Sequence, residues 1–129
     1  MSSVNKAFIL GRLGKDPEVR YSPDGKGVTT LSVATSTVGK NAQGDKTEYT
    51  EWHRLVAFNK AAEVAGKYLK KGDLIHIEGS LRTRKYDEHG VTKYSTEIVV
   101  GRLSLLGNKS NNEVPAFEVE VNNLNDDPF

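Results

Sequence analysis

Apolar and polar side chains alternate with a period of two along most of this chain, and a helical stripe breaks that rhythm once. Val4 to Leu13 is apolar on both parities (Val4, Phe8, Leu10; Ala7, Ile9, Leu13), which predicts a long, largely buried strand. Pro17 and then Ser22-Pro23-Asp24-Gly25 punctuate the loop that follows. Val28 to Thr37 alternates again, with Leu31, Val33 and Thr35 on the core parity, before a polar loop from Gly39 to Lys46. Thr47 to Asn59 reads as a third strand. It sets Trp52, Arg54, Val56 and Phe58 on one face and His53, Leu55 and Ala57 on the other. Asn59 then suits a helix N-cap, and Ala61, Val64, Ala65, Tyr68 and Leu69 form one helical stripe. Lys70 and Lys71 suit the negative helix end, and Gly72 a left-handed stop.

Asp73 to Tyr86 returns to strand, with Ile75, Ile77, Gly79, Leu81 and Thr83 on one parity and Glu78, Ser80, Arg82, Arg84 and Tyr86 on the other. Asp87-Glu88-His89-Gly90 makes a hairpin, and Val91 to Leu106 supplies the closing strand. The order β-β-β-α-β-β predicts an all-β fold with one helix, a five-stranded Greek-key barrel of the OB type, over residues 1–108. Residues 109–129 read as a separate C-terminal tail.

Composition changes this picture in three places. The absence of cysteine excludes disulfides and thiolate metal sites, which points to a reducing, cytoplasmic setting. Near the start the only apolar run is Ala7 to Leu10, too short for a signal peptide or a membrane span. The net charge of +1 hides an asymmetry, because only Lys109 opposes five acids after Asn108. Residues 1–108 therefore hold 17 basic and 12 acidic groups, a net of +5, which suits an anionic partner.

The face carrying Trp52, Arg54 and Phe58 is where chemistry is expected. Two aromatic rings flanking a guanidinium suit flat bases joined by phosphates. Stacking on an aromatic ring is worth ~1–3 kcal/mol per base and is blind to sequence. Arg82, Arg84 and Tyr86 repeat the arrangement on a second strand. Each feature has a plainer alternative: Trp52 as a core aromatic, Tyr86 as a hairpin clamp, and the arginines as a solvated face. His53, His76 and His89 share no ligand spacing, so no metal site is expected. Gly11-Arg12-Leu13-Gly14-Lys15-Asp16 lacks the spacing and the Ser or Thr of a phosphate loop. No set of catalytic groups stands out, and neither an enzyme nor a cofactor is expected.

Four ordered blocks resemble the bacterial single-stranded DNA-binding protein family: Gly11 to Tyr21, Thr50 to Arg54, Tyr68 to Asp73, and Ile77 to Tyr86. The resemblance covers about residues 3–107. It implies an OB-fold homotetramer that wraps single-stranded DNA and recruits replication and repair proteins through its C-terminal tip. Carried over position by position, it makes Trp52 and Phe58 base-stacking residues and puts Tyr86 where well-known members have a Trp. A further Trp of those members is replaced here by Val38-Gly39, so one platform is missing and weaker binding per subunit is implied. The remaining three rings would give roughly 3–9 kcal/mol gross per subunit. Arg54, Arg82, Arg84, Lys60, Lys70, Lys71 and Arg20 match the phosphate path, and His53 matches a subunit contact.

Asp126-Asp127-Pro128-Phe129 resembles the family's acidic partner-binding tip, with Asp127 where an aliphatic residue is usual. The linker before it contains Pro115 to Val121, which alternates like a strand. A mostly disordered tail with a functional tip is the expectation, and an extra edge strand or a sticky segment the alternative. The function expected is sequence-independent binding and protection of single-stranded DNA in replication, recombination and repair. An OB-fold adaptor of the primosomal type, acting through protein contacts, is the alternative, and a nucleic-acid-processing enzyme comes third.

Overall fold

A computed structural model describes residues 2–107 and, as backbone, 117–120. Among the described residues, seven strands and one helix follow in the order β1 (Ala7–Leu13), β2 (Glu18–Tyr21), β3 (Gly27–Lys40), β4 (Lys46–Phe58), α1 (Asn59–Tyr68), β5 (Leu74–Glu88), β6 (Val91–Leu105) and β7 (Phe117–Glu120). The path β1-β5-β6-β4-β3 returns to β1 through the pairs Arg12↔Ala34 and Leu13↔Val33, which closes a five-stranded OB-fold barrel. At that closure the strands crowd. A Cβ on Gly11 would lie 2.2 Å from the Ala34 carbonyl oxygen, so only glycine lets β1 and β3 meet.

The inward parities are those the alternation predicts. Leu31 and Val33 of β3, Leu55 and Ala57 of β4, and Ile75 and Ile77 of β5 are all at most 1% exposed. Together with Leu13, Ile98, Val100, Leu103 and Leu105 they fill the barrel, and α1 covers one end with Ala61, Ala62 and Ala65, joined by Leu69 just after the helix. A second, smaller cluster lies on the outside of the sheet, where Val28, Val56 and Phe58 pack together with Val99 at its edge.

Several expectations need correcting. Residues 18–21, read as loop, form β2 and pair with Val28–Thr30 of β3 and with Gly27. All four are exposed, so no hydrophobic alternation marks them and the backbone ladder alone makes the strand. Residues 4–13 are not largely buried: Val4, Phe8 and Leu10 are 90%, 63% and 56% exposed, because only the other parity of β1 faces the barrel. Asn59 does not cap α1. It is the first helical residue, with φ of +56°, and no side chain bonds the helix start. Gly72 does adopt the left-handed conformation (φ +92°), but in the turn after the helix, where Asp73 accepts the Lys70 N–H. The expected C-terminal tail stands; within it only the backbone of Phe117–Glu120 is described, paired antiparallel with Arg102–Leu105 of β6. The tip Asp126–Phe129 lies outside the described residues.

Candidate nucleic-acid interface

β3 and β4 form a long hairpin that runs beyond the barrel, paired from Val28↔Phe58 out to Lys40↔Lys46. Towards its outer part β4 has, among the described residues, a strand on one side only: β3, whose Ala34 pairs in turn with Arg12 of β1 at the barrel closure. Trp52 stands there, 57% exposed, opposite Ala34. Its indole lies against Gly14 in the β1–β2 connection, where a Cβ would come within 2.2 Å of ring atom Cζ3. The ring is thus backed on one side and open on the other, the arrangement a stacking platform needs.

Six residues further along the same face, Phe58 has another fate. Here β4 gains β6 as a second neighbour through the parallel pairs Leu55↔Ile98 and Val56↔Val99. Phe58 is 4% exposed in the outer cluster, and the Arg82 guanidinium lies over its ring, 5.5 Å from the centroid. The expectation of an open base platform at Phe58 is therefore corrected: a base reaches this ring only if Arg82 moves. This second neighbouring strand and an arginine from β5 supply a cover that the parity of β4 does not reveal.

Three of the predicted cations converge. Arg54 Nε donates to Glu97 Oε2 at 3.1 Å, Arg82 Nη2 to Oε1 at 3.4 Å, and Arg84 Nε lies 3.6 Å from Oε1. Glu97 is 2% exposed, and its carboxylate leaves this patch a net charge of +2. Arg84 also sits 5.9 Å from the centre of the Tyr86 ring, which is 37% exposed near the end of the β5–β6 hairpin. Beside these residues a hollow of about 270 Å³ is lined by Arg20, Tyr21, Arg54 and Arg84 over a floor of Val28 and Val56. Arg20 comes to it from β2, where it also lies 3.9 Å from Glu18. Lys60, Lys70 and Lys71 stand apart, exposed on α1 and in the turn after it, with the Lys71 N–H donating to Asp16. His53 faces the other way, half-buried, with its Nε2 2.8 Å from the Thr35 hydroxyl.

Two residues of this surface were not singled out from the sequence. Tyr21, 75% exposed, belongs to the strand that carries no hydrophobic alternation. Glu97 was partly legible. A two-residue turn at His89-Gly90 fixes the register of the hairpin, so Arg82 must face Glu97. Its approach to Arg54 needs the parallel β4–β6 pairing, which joins segments 43 residues apart.

Among the described residues, no helix is long and apolar enough to cross a membrane, and no three His, Asp or Glu side chains are grouped to hold a metal ion. The fold is similar to that of a Plasmodium falciparum SSB in complex with ssDNA, with a TM-score of 0.71 and 33% identity over 78% of this chain and 88% of that one. It is also similar to a deletion mutant of the single-stranded DNA binding protein from Thermus aquaticus, with a TM-score of 0.66 and 26% identity. That match covers 79% of this chain and 56% of the Thermus chain. Residues 4–106 match the model of the single-strand binding protein family, and the chain belongs to that family.

Proposed function

We propose that this protein binds and protects single-stranded DNA without sequence preference, in the cytoplasm, during replication, recombination and repair. The observation that carries the reading is the open indole of Trp52 on the same outer face of β4 as the guanidinium patch around Arg54. Bases stack on Trp52 and, at the hairpin end, on Tyr86, while Arg54, Arg82, Arg84 and Arg20 take phosphates. Lys60, Lys70 and Lys71 extend the phosphate path along α1. Affinity of this kind is salt-dependent and insensitive to base identity. The role is one of binding and not of catalysis.

The working unit in this reading is a homotetramer. Phe8 and Leu10, both more than half exposed on the outer face of β1, form an apolar stripe that suits burial against a second copy, and His53 joins a subunit contact. Several linked sites raise avidity with no new contact. Residues 109–129 form the tail, and Asp126, Asp127, Pro128 and Phe129 recruit replication and repair proteins.

Trp52 is the sole tryptophan, so its emission reports the site directly. Titration with oligo-dT is expected to quench it at low salt and to release it as salt rises. Unchanged emission together with no gel shift would overturn the reading. Light scattering with and without a long oligo-dT checks the assembly in the same sample.

A further inference from the structure

Glu97 is an acid in the wrong place for a surface that binds an anion. It sits at the centre of the phosphate-facing patch, on the strand between β5 and β4. The hairpin register sets Arg82 directly across from it on one side, with Arg84 on the diagonal. The parallel pairing of Leu55 with Ile98 brings Arg54 alongside on the other. A carboxylate 2% exposed is strongly unfavourable unless cations pair with it. The reverse also holds. Three guanidiniums on the two strands that flank β6 repel one another, and unpaired they would spread into solvent as mobile chains.

Arg54 and Arg84 both face the carboxylate through Nε. Their terminal nitrogens are not required by Glu97, and a guanidinium fork matches the oxygens of a phosphate. Arg82 is braced twice, by Glu97 Oε1 and by the ring of Phe58 beneath it. Ordering long side chains on binding costs about 0.5–1.5 kcal/mol each. A carboxylate that orders three of them in advance lowers that cost at the expense of one unit of positive charge.

We propose that Glu97 is a positioning residue for single-stranded DNA binding: it holds Arg54, Arg82 and Arg84 as a preformed array that receives the phosphate backbone. The inference rests on the single-strand reading above. It makes a prediction of unusual sign, because removing a negative charge from a DNA-binding face should tighten binding if only net charge mattered.

The test is titration of the full chain with dT oligonucleotide across a series of salt concentrations, for wild type and Glu97→Gln. The expected result is binding weaker by about fivefold or more, equal to the ordering cost of one long side chain. The slope of log K against log salt is expected to become no steeper. A merely structural Glu97 would instead give tighter binding below the melting temperature, with a slope steeper by about 0.7 per phosphate gained. That outcome, or unchanged affinity, overturns the proposal. If Glu97→Gln does not fold, Glu97→Asp keeps the charge and withdraws the carboxylate by one methylene, with about two- to threefold weaker binding expected from partial loss of the same ordering. Wild-type affinity in Glu97→Asp overturns the proposal in that case. A wild-type chain that fails to bind dT at all sinks the single-strand reading itself, whereas normal wild-type binding with an unaffected Glu97→Gln sinks only the role of Glu97.

Discussion

Trp52 and Phe58 lie on the same face of the same strand, six residues apart, and one is 57% exposed while the other is 4% exposed. Period-two alternation assigns them the same side of the sheet but says nothing about what covers that side. Cover depends on neighbours. Around Trp52, β4 has a described strand on one side only; around Phe58 it has strands on both sides, Val28 directly opposite, and Arg82 overhead. A closed barrel can thus turn one end of a face into a small core and leave the other end as an open platform. It follows that the two rings should respond oppositely to truncation, one through stability and the other through binding.

The largest effect expected is on stability, from Phe58→Ala. Removing a buried phenyl ring typically costs about 3–5 kcal/mol, and the small outer cluster places this one near the lower end. Urea unfolding followed by circular dichroism measures it. Near-native stability with lost DNA binding would mean that Phe58 is an open platform after all, and the contrast with Trp52 would collapse.

Trp52→Ala is the complementary test. Its ring contributes little to either core, so stability should change by well under the Phe58 value, while dT binding loses ~1–3 kcal/mol, or roughly 5- to 150-fold in Kd. A gel-shift titration reads the affinity, since the variant has no tryptophan to follow. A large fall in melting temperature would make the indole a packing residue.

Gly14→Ala sharpens the same point from behind the ring. The added Cβ would sit 2.2 Å from Trp52 Cζ3, and the exposed indole is the part free to give way. The expected result is a change in Trp52 emission and a loss of affinity smaller than that of Trp52→Ala, with the fold intact. Unaltered emission would show that the ring does not rest on the β1–β2 connection.

How much of this could be seen in the residues follows from the same contrast. The alternation of Leu55 and Ala57 against Trp52 and Arg54, and the stripe from Ala61 to Leu69, are local patterns, and they foretold the barrel, its one helix and which side of β4 faces outward. The burial of Phe58 was not legible, because its lid is Arg82, brought from another strand. Nor was the union of Arg54 with Glu97, since a parallel pairing between distant segments leaves no periodic mark. β2 escaped because its ladder with β3 is a backbone matter and its side chains are all exposed. Sequence patterns report which way a side chain faces; only topology reports what it meets there.

The smallest effect expected comes from Glu18, an exposed acid in the β1–β2 region that also supports the Trp52 ring. It accepts a bond from Lys15 Nζ at 3.1 Å and lies 3.9 Å from Arg20, and the Lys15 bond and charge hold its carboxyl below the usual carboxylate value. A carboxyl lowered in the folded state adds stability above its unfolded pKa, and that contribution fades as pH falls through the lowered value. On a fully solvated pair it is slight. Glu18→Gln should therefore leave unfolding nearly unchanged at neutral pH and flatten the acid limb of the stability curve. Because it frees Lys15 and Arg20 without disordering a buried array, it should tighten dT binding by less than about twofold at low salt and lose that gain at high salt. The sign is opposite to that expected for Glu97→Gln. If both substitutions tightened binding, net charge alone would govern this face. If both weakened it, the exposed carboxylate would be positioning Arg20 as Glu97 positions Arg54, and the line between buried and exposed acids on this surface would have to be redrawn.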